Sequence, residues 1–234
     1  MKLAVHRALA FVILLMAITQ TGLVQAAQAQ AALSPFEATY SLVIKGWPDA
    51  RISHRLSRLE DAWQSEMSAS IATAEGDELS RFRLEGDTID AQTYASGYRF
   101  LGFGERYQLN ADELSSLPDR QTALFILSRQ ANNARCTHSQ VAPCRLHFLN
   151  YEGEETILKY RVVGRDEVSL PAGTFPRITL DAWNPDKPDR HLIFGFHPQI
   201  PGLLLSLEYQ REGQLKSRLT LQRLALETDR NQRP

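Results

Sequence analysis

Apolar and polar side chains alternate along most of this chain. In FEATYSLVI, Phe36, Ala38, Tyr40, Leu42 and Ile44 fall on one side. Side chains of an extended strand point to opposite faces in turn, so this spacing predicts a strand with one buried and one wetted face. RISHRLSRL repeats the pattern, with Ile52, Leu56 and His54 on one side and Arg and Ser on the other. AWQSEMSASIA repeats it through Trp63, Met67, Ala69 and Ile71. Weaker strands are predicted at Glu78–Leu84, Thr88–Tyr94 and Arg99–Leu109.

The period then changes. After Pro118-Asp119-Arg120, the run TALFILSRQANN places Ala123, Leu124, Leu127 and Ala131 at three- and four-residue intervals, which predicts a short amphipathic helix. Alternation returns in RLHFLNY and ETILKYRVV, which flank the turn residues Glu152-Gly153-Glu154, and in FPRITLDAW, HLIFGF, LLLSLEYQ and LKSRLTLQRLAL. The last two flank another hairpin signal, Arg211-Glu212-Gly213. About eleven strands joined by short turns predict a mostly antiparallel fold: a single curved sheet, half-barrel or barrel-like, with one principal helix. One helix is too little to cover so wide an apolar face, so the sheet must curl on itself or keep a groove.

Lys2, His6 and Arg7 precede an apolar run, ALAFVILLMAI, and then VQAAQAQAA, which carries A-x-A spacings. This is the layout of a secretory signal peptide, with cleavage expected after Ala29. No cysteine lies near that point, so a lipid-modified N-terminus is not expected. The organisation expected is a signal peptide over 1–29, one β-rich domain over 30–226 and a polar tail over 227–234. Export to the periplasm follows, with no further segment apolar enough to span a membrane.

Composition narrows the class. The 234 residues hold 26 Lys and Arg against 27 Asp and Glu. No cationic excess would drive binding to nucleic acid. The 43% hydrophobic content argues against a disordered chain. Cys136 and Cys144, the two cysteines, are expected to form a disulfide in an oxidising compartment. His138 and His147 flank them, so a Cys2His2 zinc site is the competing reading, disfavoured because exported thiols oxidise.

No nucleophile or phosphate-binding motif is present. His191 and His197 share a strand face if that strand is unbroken, with Asp181, Asp186 and Asp189 nearby, and would serve a hydrolase. Gly195, Pro198 and the turn-like NPDKPD make a solvated loop the simpler reading. Glu152, Glu154 and Glu155 read as a solvated hairpin tip. No catalytic residue, metal or cofactor is expected. Aromatic residues are the better candidates. Tyr98, Phe100, Phe103, Tyr107 and Trp183 are the expected ligand contacts, although filling a core is the commoner use of such side chains. Gly102 and Gly104 read as bulges that curve the sheet.

The stretch VVGRDEVSLPAGTFPRITLDAW resembles a motif of the DUF3108 family of exported bacterial proteins, through Val163, Gly164, Glu167, Pro171, Ala172, Gly173, Phe175 and Ile178. The opening PFEATYSLVIKG and the ending LIFGFHPQIPGLLLSLEYQREGQLKSRLTL are similar to that family as well, so the resemblance spans roughly residues 35 to 226. CTHSQVAPC departs from the pattern, and Phe194 stands where Trp is usual. The resemblance implies a periplasmic protein with a curved antiparallel sheet wrapped on a helix, a shape shared by carriers and sensors of lipids or lipoproteins. It implies no catalytic residue. Three functions follow in order: a non-catalytic binding protein with an apolar or lipid-like ligand on the curved sheet, an envelope protein-protein interaction module, and last a hydrolase.

Overall fold

A computed structural model describes residues 33–71, 74–86 and 88–226. The expected signal peptide and polar tail lie outside the described residues.

Twelve strands form one antiparallel sheet. They are β1 (Phe36–Ile44), β2 (Ala50–Leu59), β3 (Ala62–Ile71), β4 (Ala74–Glu85), β5 (Thr88–Phe100), β6 (Phe103–Leu109), β7 (Cys144–Leu149), β8 (Glu155–Leu170), β9 (Gly173–Trp183), β10 (Arg190–Phe196), β11 (Leu204–Arg211) and β12 (Gln214–Leu226). One helix, α1 (Arg120–Asn133), interrupts them. The spatial order is β6-β5-β4-β3-β2-β1-β12-β11-β10-β9-β8-β7. Each half of the chain is thus an up-and-down meander, and the first and last strands pair at the centre. Among the described residues, the one long connection runs from β6 at one edge to β7 at the other, and it carries α1.

The alternation sets the faces. Across β1 and β2, Leu42 pairs with Ala50, Tyr40 with Ile52, Ala38 with His54 and Phe36 with Leu56, all on the inner face. Register shifts leave one extra residue in each of β5, β8 and β11 and two in β12, and each adds local twist. The sheet curls until its two ends approach. Tyr107 of β6 meets Tyr151 of the β7–β8 turn, ring centroids 4.9 Å apart. Leu109 and Leu149 share a small buried cluster. No ladder joins β6 to β7, so the barrel stays open, as the wide apolar face and scarce helix predicted. Among the described residues, no helix is long and apolar enough to cross a membrane.

Two details correct the sequence reading. The strand expected over Arg99–Leu109 is a hairpin: β5 runs on to Phe100, the chain turns at Leu101-Gly102, and β6 starts at Phe103. Gly102 is a turn residue with φ +88°, and no register shift breaks the β5–β6 ladder, so neither Gly102 nor Gly104 is a bulge. Gly104 is needed for close approach instead, because a Cβ there would collide with the Tyr98 carbonyl.

Cys136 and Cys144 are bonded, with Cα atoms 5.7 Å apart. Their sulfurs therefore offer no thiolate to zinc. The bridge closes the loop between α1 and β7, and the Cys136 carbonyl accepts from the Val162 amide at 3.2 Å. For a loop of this size, chain entropy makes the bridge worth about 2.5 kcal/mol. The variant Cys136→Ser/Cys144→Ser is expected to lower the urea midpoint accordingly. An unchanged midpoint would mean that β8 alone holds the loop.

Candidate functional site

The helix is fastened at both ends. Asp119 is its N-cap and is fully buried. Its Oδ1 accepts from the Gln121 and Thr122 amides, both at 2.9 Å, and its Oδ2 accepts from the Ser80 hydroxyl at 2.9 Å and the Thr122 hydroxyl at 2.7 Å. Burial holds this carboxyl above the usual carboxylate range, against the pull of those four donors. Ser80 lies on β4, so the cap ties the helix start to the sheet. At the other end Arg165 donates to the carbonyls of Ala131 (2.9 Å) and Asn132 (2.8 Å), supplying partners that the last turn lacks.

One side of α1 fills one end of the barrel. Phe125 is fully buried against Phe82 and His54. Gly202 lies directly beneath the Phe125 ring, and its amide donates to Ser128 Oγ at 2.8 Å. His54 is buried between Phe36 and Phe125, and its Nε2 lies 2.9 Å from the Ser65 hydroxyl. Burial pushes the His54 imidazole down to about 4, so it is neutral at ordinary pH.

The other side of α1 leaves a cavity of about 570 Å³ between the helix and the inner face. Its wall is built by Leu42, Ile52, Leu124, Leu127, Phe194 and Leu207, together with further apolar groups of β7, β8 and β12. The volume lies within the range of small-molecule sites. Polar groups gather at one end, where Glu78, Arg120, Asn150 and Tyr151 join the lining. There the cavity runs into a second hollow of about 350 Å³, which shares Ile52, Met67, Glu78, Arg120 and Tyr151 and is flanked by Tyr98 and Tyr107.

Arg120 organises this junction. It pairs with Glu78, donates to the Tyr94 hydroxyl at 3.0 Å, and lies over the Tyr151 ring, 5.4 Å from its centroid. Burial opposes the Arg120 charge, but the Glu78 carboxylate outweighs it and holds the guanidinium above its usual value. Burial and the same carboxylate push the Tyr94 hydroxyl up to about 12. Its hydrogen bond to Glu105 raises the Tyr107 hydroxyl, and the Glu105 charge raises Tyr98. All three phenols are therefore protonated donors. The junction is a charge-compensated polar gate at the end of an apolar chamber.

The sequence candidates are distributed unevenly. Tyr98 and Tyr107 stand at the mouth. Phe100 and Phe103 pair across the tip of the β5–β6 hairpin, exposed. Trp183 alternates with the inward Ala182 and so faces outward, tilted over His191 at 5.9 Å. His191 Nδ1 is 2.7 Å from Asp181 Oδ1, and its Nε2 is 3.1 Å from the Pro188 carbonyl. His197 follows the far end of β10 and packs on Phe175. Six residues of strand separate the two rings by roughly 20 Å, so they do not share a site. Among the described residues, no group of three or more His, Cys, Asp or Glu is placed to hold a metal ion. Sequence reasoning missed Glu78, Arg120 and Tyr151. Glu78 shares the inward face of β4 with Ser80 and Phe82, but its sequence neighbours Asp77 and Leu79 give no local sign of that, so only the ladder registers reveal the contact.

No family model matches the chain, and no curated protein matches it. Among solved structures, it is similar to MucB of Pseudomonas aeruginosa in the MucA/MucB complex, at 14% identity and a TM-score of 0.39, covering 86% of this chain and 56% of that one. A protein of Bacteroides fragilis with a YmcC-like fold is similar at 11% identity and a TM-score of 0.37, covering 83% of this chain and 99% of that one. The chain spans 49% to 60% of the MucB chains it matches. Similarity at this level carries no functional weight.

Proposed function

We propose that this chain is an exported, non-catalytic binding protein that holds an apolar, lipid-like ligand beneath α1. The apolar chamber of about 570 Å³ carries this reading. An acyl or similar chain fits its wall, and the Glu78–Arg120 pair with the tyrosine hydroxyls offers hydrogen bonds to a polar end. The disulfide and the leader-like residues 1–29 support an oxidising compartment, with the periplasm the fitting one. Membership of the DUF3108 family belongs to the same proposal and rests on the PAGTF turn.

A fluorescent apolar probe, N-phenyl-1-naphthylamine, tests the chamber. Leu124 is half-buried and lines it, so Leu124→Trp fills space without cutting into the packed side of the helix. The probe is expected to bind the native protein and to lose affinity by about tenfold, the equivalent of 1.4 kcal/mol, in the variant. Equal binding by both proteins, with no lipid in solvent extracts of the native one, would sink the reading.

A second reading, an envelope interaction module, draws on the edge of β6, which has no ladder partner beyond β5. Such an edge accepts an added strand. A crosslinked pull-down that returns no partner counts against it.

A further inference from the structure

The hairpin tips around the chamber mouth carry apolar side chains in a pattern that folding does not explain. Strand directions place the turns at 45–49, 101–102, 150–154, 184–189 and 212–213 at one end of the barrel. The chamber's polar gate and its flanking Tyr98, Tyr107 and Tyr151 lie at that same end. Among the described residues there are eleven exposed large apolar side chains, and eight are at this end, including Trp47 (62% exposed), Leu101 (61%) and Phe103 (83%). Only Leu59, Val141 and Val163 lie elsewhere.

Leu101 is the most telling. It occupies the first turn position of the β5–β6 hairpin with φ +50°. That conformation suits Asn, Asp or Gly, and a branched apolar side chain pays for it in strain. The equivalent position of the β11–β12 turn holds Glu212, with φ +53°. At Leu101 the chain thus accepts both backbone strain and an exposed apolar group. Phe100 and Phe103 flank it as a cross-strand pair. Charges just behind the tip are compensated: Arg99 pairs with Glu75 at 3.4 Å and Arg106 with Asp77 at 3.5 Å.

We propose that this rim docks on a zwitterionic lipid surface, with the Phe100-Leu101-Gly102-Phe103 tip and Trp47 entering the interfacial layer and the chamber mouth facing the lipid. Aromatic side chains favour that layer, where apolar bodies and polar tips are both accommodated. The turns at this end carry Lys45 and Lys187 against Asp49, Glu152, Glu154, Asp186, Asp189 and Glu212, an acidic excess that an anionic surface would repel, so a zwitterionic surface is the fitting one. Separate tips interleaved with ion pairs suit a deformable headgroup layer. The proposal deepens the carrier reading, since it gives the ligand a route from lipid to chamber, and it rests on that reading for its purpose but not for its test.

The test is co-sedimentation of the purified protein with phosphatidylcholine vesicles, alongside N-phenyl-1-naphthylamine binding without vesicles. Native protein is expected to bind the vesicles, with the binding unchanged by added salt and with a blue shift in Trp47 emission that Trp47→Ser removes. Phe100→Ser/Phe103→Ser is expected to weaken vesicle partition by at least about tenfold while leaving probe binding unchanged. Leu59→Ser/Val141→Ser, away from this rim, is expected to leave both unchanged. The exposed positions make these variants safe for folding, which circular dichroism checks. Docking is overturned if native protein ignores the vesicles, if the rim variant binds as well as native, or if binding vanishes with salt. It is overturned equally if the rim variant changes only self-association, which would make the rim a protein interface. Rim-dependent vesicle binding without probe binding would leave docking standing and remove the chamber reading.

Discussion

Alanine at position 202 is expected to destabilise the fold by about 3 kcal/mol or more. Gly202 has φ +83°, a conformation that costs an L side chain of the order of 1–2 kcal/mol. The added Cβ would also lie only 2.0–2.7 Å from three carbons of the Phe125 ring. That ring cannot retreat, because Phe82 and His54 pack behind it and it is fully buried. Overpacking of this kind costs about 1–3 kcal/mol. Chemical denaturation of Gly202→Ala measures the loss. Gly202→Ala/Phe125→Leu separates the parts, since a smaller side chain relieves the collision and leaves the backbone cost. If the double variant is no more stable than the single one, the ring is not the obstacle.

Acid is expected to weaken the protein through His54. Its folded pKa is about 4, against 6.5 for the ordinary imidazole, and burial is the cause. Above pH 6.5 both folded and unfolded chains hold it neutral, so its favourable packing counts in full. Between about 6.5 and 4 the unfolded chain takes up a proton that the fold refuses. Stability therefore falls across that window by a total of about 3 kcal/mol, at 1.36 kcal/mol per unit. Below 4 this group adds no further change. His197, held down by its own partial burial, acts in the same direction. The variant His54→Leu/Ser65→Ala removes the titrating ring without orphaning its hydroxyl partner. Its denaturation midpoints should lose the His54 share of the slope between pH 6.5 and 4. A slope equal to that of the native protein would show that carboxylates, not His54, govern the window.

The strands were legible because alternation needs only the neighbouring residues. Phe36, Ala38 and Tyr40 declare their face without reference to any partner strand. The helix was legible for the same reason, through Ala123, Leu127 and Ala131. The β5–β6 hairpin was hidden because Leu101 breaks the rule for its turn: the slot that polar residues usually mark is filled by an apolar one. The site was half legible. Tyr98 and Tyr107 were visible as an aromatic cluster, but Trp183 resembled them in type and lies on the outer face. Which of two alternating faces is inner depends on the ladder registers, which no local pattern supplies. Glu78 and Arg120 are 42 residues apart in sequence, and only the curl of the sheet brings them together.

The central pairing of β1 with β12 also sets an order of assembly. Phe36 is opposite Leu226, and Ile44 is opposite Ser217. A chain delivered N-terminus first, whether from a ribosome or through a narrow pore, exposes one flank of the β1–β2 hairpin until residues 214–226 have emerged. The two meanders can each form from local contacts, but the seam between them waits for β12, and contacts this distant in sequence slow folding. Until then α1 can rest on the first meander alone, through Ser80 and Phe82, and β12 acts as the zip that turns two ribbons into a vessel.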